Sequence, residues 1–231
     1  MKICGYQKTT LLDYPGKVAC TLFLAGCNFR CPFCHNGALV TDPDAQREIP
    51  AQEFFSFLEK RRGILDGVCI SGGEPTLSQE LPWLIRQIRK MGFAVKLDTN
   101  GSRPDVLREL VSQGLLDKVA MDIKACPEHY GTLCGLRYPD MDRIRESVSF
   151  LMSCQVEHEF RTTVVKELHT EQDFIEIGKW LAGAKAYYLQ AYKDSEGVLQ
   201  PGFHSYSLEE LSHFRSILLQ TISSVEIRGI H

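Results

Sequence analysis

The stretch Val18–Asn36, "VACTLFLAGCNFRCPFCHN", joins two patterns that decide how the chain folds. Its first seven residues, Val18–Leu24, form a continuous apolar run with β-branched and aromatic side chains, which is typical of a buried strand. Three cysteines, Cys27, Cys31 and Cys34, follow within eight positions and stand among Asn, Arg, Pro and His. The sequence therefore predicts a buried strand that ends in a thiol-rich loop.

Further apolar runs alternate with amphipathic helical patterns along the rest of the chain. The predicted strands are Gly67–Ser71, Phe93–Asp98, Lys118–Ile123, Glu159–Val165, Ala186–Tyr192 and Ser224–Arg228. The predicted helices are Ile49–Arg62, Leu81–Met91, Asp105–Gln113, Met141–Met152, one from Thr170 to about Leu181 and one from Ser207 to about Thr221. Strands that alternate with helices pair in parallel through right-handed crossovers. We expect one α/β domain over residues 1–231, an open or partial barrel of about six units, although the pattern alone also permits a doubly wound sheet.

Polar motifs follow the predicted strands at the ends where parallel strands collect ligands. "SGGEPT" at 71–76 follows the second strand, "DTNG" at 98–101 ends the third, and "MDIK" at 121–124 ends the fourth. The cysteine loop follows the first strand. All four segments therefore fall at the same rim, and we expect them to form one site. Their agreement carries more weight than any single motif.

Composition excludes several classes of function. The 231 residues are 44% hydrophobic and 24% charged, and the net charge is 26 − 29 = −3. This balance gives no global attraction to nucleic acid or anionic lipid. The N-terminus lacks the apolar region of a signal peptide, and no apolar run approaches the ~20 residues that span a bilayer. We expect a cytoplasmic protein with neither a nucleic-acid nor a membrane partner.

Nine cysteines are many for this length. An odd number in a cytosolic chain argues against a complete disulfide framework and favours metal ligands or redox groups. Outside the triplet, we expect Cys20, Cys69 and Cys154 to pack as small apolar side chains. The remaining three are also interpreted as structural, with less support from their surroundings: Cys4, Cys126 and Cys134.

Three metal interpretations of the triplet remain open on the residues alone. Zinc prefers four ligands, and His35, the nearest candidate, reaches the same ion poorly because it adjoins Cys34. "CPFCH" at 31–35 also matches the C-x-x-C-H haem attachment pattern, but such attachment is typical of exported proteins. The third interpretation is a 4Fe–4S cluster held by three thiolates, with one iron left open for another ligand.

The spacing Cys27-x3-Cys31-x2-Cys34, with Phe33 before the third cysteine, resembles the signature of radical S-adenosylmethionine (SAM) enzymes. "GGEP" at 72–75 matches a second motif of that superfamily. Together with "LDTNG" and "MDIK", these motifs resemble the activators of glycyl radical enzymes. The run "TTLLDYPGKVACTLFLAGCNFRCPFCHN" at 9–36 is similar to the long form of the anaerobic ribonucleoside-triphosphate reductase activating proteins. The resemblance reaches to about Val165 and implies a partial (β/α)6 TIM-like barrel of the radical SAM type.

The resemblance implies an activase. Such an enzyme reductively cleaves SAM to a 5′-deoxyadenosyl radical and installs a glycyl radical on a partner, here most closely an anaerobic ribonucleotide reductase. It also implies a one-electron donor such as flavodoxin or ferredoxin. The alternatives are an activator of pyruvate formate-lyase or another glycyl radical enzyme, and a radical SAM enzyme that acts on a small molecule. A structural zinc or iron–sulfur module is the non-enzymatic alternative.

The resemblance also assigns roles to individual residues. Cys27, Cys31 and Cys34 correspond to the ligands of the cluster, and it is the cluster that reduces SAM in that family. Phe33 corresponds to an aromatic side chain near adenine, and Lys124 is placed to neutralise the SAM carboxylate as a point charge. The full set of residues expected to contact SAM is Phe33, Cys34, His35, Gly72, Gly73, Glu74, Asp98, Thr99, Asn100, Asp122 and Lys124.

Within that set, the segment Gly72–Glu74 is expected to receive the SAM amino group, with Glu74 either accepting from it or bracing the loop. The residues corresponding to Asp98 and Asp122 also help to hold a monovalent cation in pyruvate formate-lyase activators.

Those activators carry a late histidine that reaches SAM. The corresponding stretch here, "YYLQAYKDSEG" at 187–197, has none, so we expect Gln190 or Tyr192 near the site instead. Five other histidines fit no motif and are interpreted as surface or satisfied residues: His129, His158, His169, His204 and His213.

Overall fold

The computed structural model describes residues 1–230. Its strands are β1 (Ile3–Thr10), β2 (Ala19–Leu24), β3 (Gly67–Gly72), β4 (Ala94–Thr99), β5 (Lys118–Asp122), β6 (Glu157–Val164), β7 (Tyr187–Ala191) and β8 (Val225–Arg228). Its helices are α1 (Gly37–Thr41), α2 (Ala51–Glu59), α3 (Leu81–Lys90), α4 (Pro104–Ser112), α5 (Tyr130–Cys134), α6 (Met141–Ser153), α7 (Glu171–Trp180) and α8 (Leu208–Leu218). A short 3₁₀ turn covers Pro75–Leu77.

The strands form one sheet in the consecutive order β1 to β8. β1 pairs with β2 antiparallel, and every later pair is parallel. A doubly wound sheet reverses its strand order at a switch point, whereas this order never reverses. Within residues 1–230, β1 and β8 each pair with one strand only, so the sheet is not closed. The α/β fold with an open, barrel-like parallel sheet is confirmed.

The two faces of β4 show how the sequence separates the core from the site. Val95 and Leu97 are fully buried and belong to the hydrophobic core. Lys96 and Asp98 point to the opposite face, since successive side chains of a strand alternate. Both are nearly inaccessible to solvent, and Lys96 Nζ lies 2.6 Å from Asp98 Oδ1. Lysine is almost never fully buried unless it is paired, so this face carries a polar interior that leads to the rim.

Capping boxes stabilise the starts of two helices. At the start of α7, Thr170 and Asp173 satisfy each other's backbone N–H groups, and Ser207 and Glu210 do so at the start of α8. Each pair occupies two of the donors that a helix N-terminus leaves without an internal partner.

The sequence patterns did not predict β1, α1 or α5. β1 lies at the edge of the sheet, and several of its side chains are exposed, so the apolar run that predicts a strand is missing. The two helices have five residues each, which is too short to show helical periodicity. None of the helices described in residues 1–230 has the length and apolar character needed to cross a bilayer.

Candidate functional site

One pocket lies at the carboxyl ends of β2 to β7, the rim at which the sequence motifs were expected to meet. All residues that the sequence analysis assigned to the site line this pocket: Cys27, Cys31, Phe33, Cys34, His35, Gly72, Gly73, Glu74, Asp98, Thr99, Asn100, Asp122 and Lys124. Further lining residues are Phe29, Asn36, Val40, Ser71, Arg161, Thr163 and Gln190. The fold therefore brings the four motifs together, and it adds residues from β6 and β7.

The spread of the three loop thiols bears on the choice of metal. Among the described residues, Cys27, Cys31 and Cys34 do not form a group whose ligand atoms all lie within 4.8 Å of one another. A single tetrahedral zinc ion would hold its sulfurs about 3.8 Å apart, given Zn–S bonds of ~2.3 Å. A cubane cluster spreads its thiolates, because each binds a different iron. His35 Nε2 contacts Lys193 O at 2.6 Å. The donor set thus fits a 4Fe–4S cluster better than a zinc ion.

Burial favours the protonated form of the Cys27 and Cys31 thiols by raising their pKa values. Burial raises the pKa of Cys27 to about 11 and that of Cys31 to about 12. Cys27 Sγ nevertheless accepts from Phe29 N at 3.3 Å and from Asn100 Nδ2 at 3.8 Å. These two donors point at the sulfur that would carry negative charge as a thiolate ligand. Such hydrogen bonds to ligand sulfur tune the reduction potential of iron–sulfur clusters.

The glycine pair at the end of β3 allows the cysteine loop to lie directly against it. Gly73 N donates to Leu24 O at 2.9 Å, and Glu74 N donates to Gly26 O at 2.8 Å. A Cβ on Gly73 would overlap Gly26 O, and one on Gly72 would overlap the backbone of Leu24. Gly72 also has a φ of +123°, which side chains disfavour. The close approach that requires Gly73 is made by the start of the cysteine loop, and the one at Gly72 by the last residue of β2.

Glu74 is a buried brace between β3 and β4. Its Oε1 accepts from Thr76 N at 3.1 Å and from Thr99 Oγ1 at 2.8 Å. Its Oε2 accepts from Asn100 N at 2.6 Å. Burial raises the pKa of Glu74, while these donors act in the opposite direction. Because both oxygens already have protein donors, the geometry favours bracing over direct contact with a ligand.

An irregular segment after β7, residues 192–206, crosses the cysteine loop. Leu199 N donates to Cys34 O at 2.9 Å, and Gln200 N donates to Pro32 O at 2.8 Å. Gly37 N donates to Gly197 O at 3.0 Å. We call this segment the strap. It fixes the backbone just after the second cysteine and on both sides of the third, so the loop is held by β3 on one side and by the strap on the other.

A chain of alternating charges crosses the floor of the pocket from β4 to the end of β5. Lys96 pairs with Asp98, and Arg161 Nη2 lies 3.0 Å from Asp98 Oδ2. Arg161 Nε donates to Asp122 Oδ1, and Lys124 Nζ lies 2.9 Å from Asp122 Oδ2. No side chain in the chain of charges is more than 26% exposed. Three cations and two anions leave one positive charge in excess.

The pairing controls the protonation of the carboxylates. Burial by itself would raise the pKa of Asp122, but Arg161 and Lys124 outweigh it and hold that pKa below its usual range. For Asp98, burial is likewise outweighed by Arg161 and Lys96, and its pKa is lowered. For Lys124, burial opposes the charge, yet Asp122 raises its pKa. All of these groups are therefore ionised at neutral pH.

Sequence reasoning did not single out Arg161, which connects the two aspartates. A signal was present, because an arginine inside a strand pattern whose faces are both expected to be buried must find a charged partner. Gln190 was expected near the site and lines the pocket, with its Nε2 donating to Thr163 Oγ1 at 3.3 Å. Tyr192, the first residue of the strap, does not line the pocket; its ring lies 5.5 Å from that of His35.

Comparisons of sequence and of fold show which known proteins the chain is similar to. Residues 21–181 match the family model of the radical SAM superfamily. Over 99% of the chain and 96% of its relative, the sequence is 31% identical to a Methanocaldococcus jannaschii protein named as a glycyl-radical enzyme activating enzyme. It is also 29% identical to a pyruvate formate-lyase-activating enzyme of Clostridium pasteurianum, over 53% of this chain and 52% of that protein.

The fold is similar to that of SuiB from Streptococcus suis, solved in a complex with SAM. The TM-score is 0.70 at 16% identity, over 91% of this chain and 52% of SuiB. At that identity the likeness concerns the fold alone. That residues 1–231 form a single domain stays a prediction.

Replacing Arg161 by Met should reduce the pH dependence that the two aspartates give to stability, although Lys96 and Lys124 still pair with them. In the parent, carboxyl groups with lowered pKa values contribute stability that is present above their unfolded pKa of ~3.9 and is lost as the pH falls. Breaking a buried pair at one partner costs about 3–5 kcal/mol near neutral pH. We expect urea denaturation curves to show this deficit at pH 7 and a smaller deficit at pH 3, below the unfolded pKa. Arg103→Met, which removes a more exposed pair with Asp105, is the control, and an equal deficit at both pH values for Arg161→Met would contradict the assignment.

Proposed function

The chain belongs to the radical SAM superfamily, and from this premise we propose that it is an activase that installs a glycyl radical on a partner enzyme. Membership implies a 4Fe–4S cluster and SAM as cofactors. The observation that carries the proposal is the single pocket in which the three loop thiols, the glycine pair and the charge chain meet. The relative from Methanocaldococcus jannaschii, which is similar along nearly the whole chain, supports the activase assignment.

Cys27, Cys31 and Cys34 would hold the cluster. When bound, such a cluster supplies the electron that cleaves SAM to methionine and a 5′-deoxyadenosyl radical. The protein's own part is to hold the thiol loop still and to limit water. The contact with Gly73 and the strap fixes the loop, and the nearly buried Phe33 presents an apolar ring to the pocket. An aromatic face against adenine adds about 1 kcal/mol beyond the buried area.

The charge chain is complementary to the methionine end of SAM. At the rim end of the charge chain, Lys124 has one carboxylate partner, Asp122, and lines the pocket together with the three loop cysteines. A ligand carboxylate there would balance the excess positive charge. We infer that Lys124 neutralises the SAM carboxylate, while Asp98, Thr99, Asn100 and Asp122 position the neighbouring groups. Glu74 keeps β3 and β4 in register beneath them.

Arg161 takes the position that the resemblance assigns to a monovalent cation. Its guanidinium bonds to both Asp98 and Asp122, the two carboxylates expected to hold that ion. A cation between them would have to displace the guanidinium and would add to a site that already has excess positive charge. We infer that Arg161 supplies this charge, so that SAM binding does not depend on a monovalent ion.

For the partner, we favour an anaerobic ribonucleotide reductase. The run at 9–36 resembles the long form of the reductase activators, and Gln190 lines the pocket where formate-lyase activators are expected to place a histidine. The chain's described helices and strands belong to the barrel-like unit, which leaves the rim to receive a peptide loop of a macromolecule. A one-electron donor such as flavodoxin or ferredoxin would reduce the cluster.

Lys124→Met should weaken SAM binding without releasing iron. Loss of a hydrogen bond to a charged group costs about 1.5–3 kcal/mol, which is roughly a 10- to 150-fold rise in Kd. Equilibrium dialysis of SAM with the reconstituted protein under anaerobic conditions measures this change. Lys166→Met is the matched control, because Lys166 follows β6 but pairs with Glu210 outside the pocket. Equal affinity of the parent and Lys124→Met would refute the role.

Exchange of K⁺ for choline at constant ionic strength should leave the affinity of the parent protein for SAM unchanged. The reason is that Arg161 already bridges the two carboxylates. The same dialysis measures it, with Na⁺ and K⁺ added back separately. If the affinity falls in choline and returns with one of these ions, the pocket contains a cation and Arg161 does not replace it.

The activase assignment predicts a glycyl radical on an anaerobic ribonucleotide reductase when the reduced protein and SAM are supplied. Electron paramagnetic resonance (EPR) of the reductase measures the radical, and pyruvate formate-lyase is offered separately to the same preparation. Cys34→Ala, which removes one cluster ligand, should yield no radical on either enzyme.

Each other outcome has a distinct meaning. A radical on pyruvate formate-lyase alone would overturn the partner and keep the activase chemistry. Formation of 5′-deoxyadenosine without a radical on either enzyme would favour the small-molecule alternative. Absence of both products in a protein with a full iron content would contradict the proposed function as a whole.

A further inference from the structure

Outside the pocket, one cluster of three possible ligand groups links the loop after β5 to α7. Cys126 and His129 lie in that loop, and Asp173 lies in the first turn of α7. Cys126 Sγ is 3.0 Å from Asp173 Oδ1, and His129 Nδ1 is 2.8 Å from the same oxygen. Among the described residues, this is the one group of three Cys, His or acidic side chains whose ligand atoms lie within 4.8 Å of one another.

The two carboxylate oxygens of Asp173 have different hydrogen-bond partners. Oδ2 accepts from Thr170 N at 2.8 Å and from Thr170 Oγ1 at 2.7 Å, which completes the capping box of α7. Oδ1 faces only the thiol and the imidazole in this network. Asp173 is fully buried and Cys126 is 3% exposed, whereas the His129 side chain is 54% exposed. The cluster is thus rigid at its carboxylate and open to solvent at its histidine.

Sulfur, imidazole nitrogen and carboxylate oxygen together are a donor set that suits zinc. We propose that Cys126, His129 and Asp173 bind one Zn²⁺, with water as the fourth ligand on the side of His129. With ordinary Zn–ligand bonds, the S···O and N···O separations in a tetrahedral site are about 3.5 and 3.3 Å. Each observed distance therefore has to open by about half an ångström.

Zinc binding changes the protonation of the site by one proton. The Cys126 thiol proton, which now points at Oδ1, passes to solvent, and the thiolate bonds to zinc. His129 binds through Nδ1 in the tautomer that carries its proton on the exposed Nε2. Bound water leaves the aqueous ion as the three side chains replace it. No oxidant or reductant takes part, because zinc has no redox chemistry.

The site would fasten the segment that carries Lys124. Cys126 lies two residues after Lys124, whose carbonyl accepts from His169 Nε2 at 2.9 Å, just before α7. On the far side of Cys126, Arg30 N of the cysteine loop donates to Cys134 O at 2.8 Å. Zinc would thus join α7 to a segment already attached to the cysteine loop. This inference does not rest on the proposed activase function.

Zinc stoichiometry of the cluster-loaded protein tests the proposal. The reconstituted holoprotein, kept anaerobic so that Cys27, Cys31 and Cys34 remain occupied by iron, is titrated with Zn²⁺ in competition with a chromophoric chelator. We expect one tightly bound zinc per chain and an unchanged iron content. His129→Ala alters an exposed side chain and should keep the fold. Its affinity for zinc should fall by more than the roughly 10- to 100-fold that follows loss of a group that only orients a ligand.

His204→Ala is the matched control, because exposed His204 also pairs with a carboxylate, Glu167, but has no thiol beside it. Its zinc affinity should equal that of the parent, and Cys126→Ser should behave like His129→Ala. Absence of the zinc equivalent in the parent would show that the cluster is only a hydrogen-bonded helix cap and overturn the proposal. Equal zinc binding by the parent and His129→Ala would overturn it as well.

Discussion

The ion pairs of Arg161 with Asp98 and Asp122 are the interaction on which the site depends. They join the ends of three adjacent strands, β4, β5 and β6, inside the open barrel. Each carboxylate alone would be too costly to bury in its charged form, because desolvation favours the neutral acid. Shared between one arginine and two lysines, both remain ionised, and Lys124 lies at the end of the network that lines the pocket. The same arrangement that permits burial therefore prepares the pocket for an anionic group.

The cysteine loop depends on a second constraint, which is backbone contact. Gly72 and Gly73 have no side chain, so the loop can bond directly to the end of β3. The strap closes over the other side through the carbonyls of Pro32 and Cys34. If the three thiols each bind a different iron, as we propose, they need a loop of fixed shape, since a cluster cannot adapt as a single ion can. The backbone hydrogen bonds to β3 and to the strap constrain that shape.

Much of this arrangement could be predicted from the sequence, because it follows from rules that act locally. Apolar runs located the parallel strands, and the polar motifs at their ends fell at one rim because parallel strands share a direction. The roles of single residues were harder to predict, as Glu74 shows. Its oxygens bond to Thr99 and Asn100 from the neighbouring strand, and no pattern within one segment reveals such a partner.

Dependence on contacts between distant segments also explains the features that the sequence did not predict. Arg161 lies about 40 residues from Asp122 in the chain, the strap forms no regular element, and Asp173 reaches Cys126 and His129 only through the fold. The glycine pair was predicted, but the structure shows that the end of β2 approaches Gly72 and the cysteine loop approaches Gly73. Sequence motifs therefore identified which residues line the pocket, whereas contacts between strands determine the hydrogen-bond partners of each residue.

The central claim is that three thiolates from one loop hold a 4Fe–4S cluster whose remaining iron is free to bind SAM in the pocket lined by Lys124. Mössbauer spectroscopy of protein reconstituted with ⁵⁷Fe tests it most directly, since the spectrum distinguishes irons with different ligands. The account predicts that addition of SAM changes the signal of one iron of the four and leaves the other three as they were. A spectrum that SAM does not alter, or one in which no 4Fe–4S cluster is present, would contradict it.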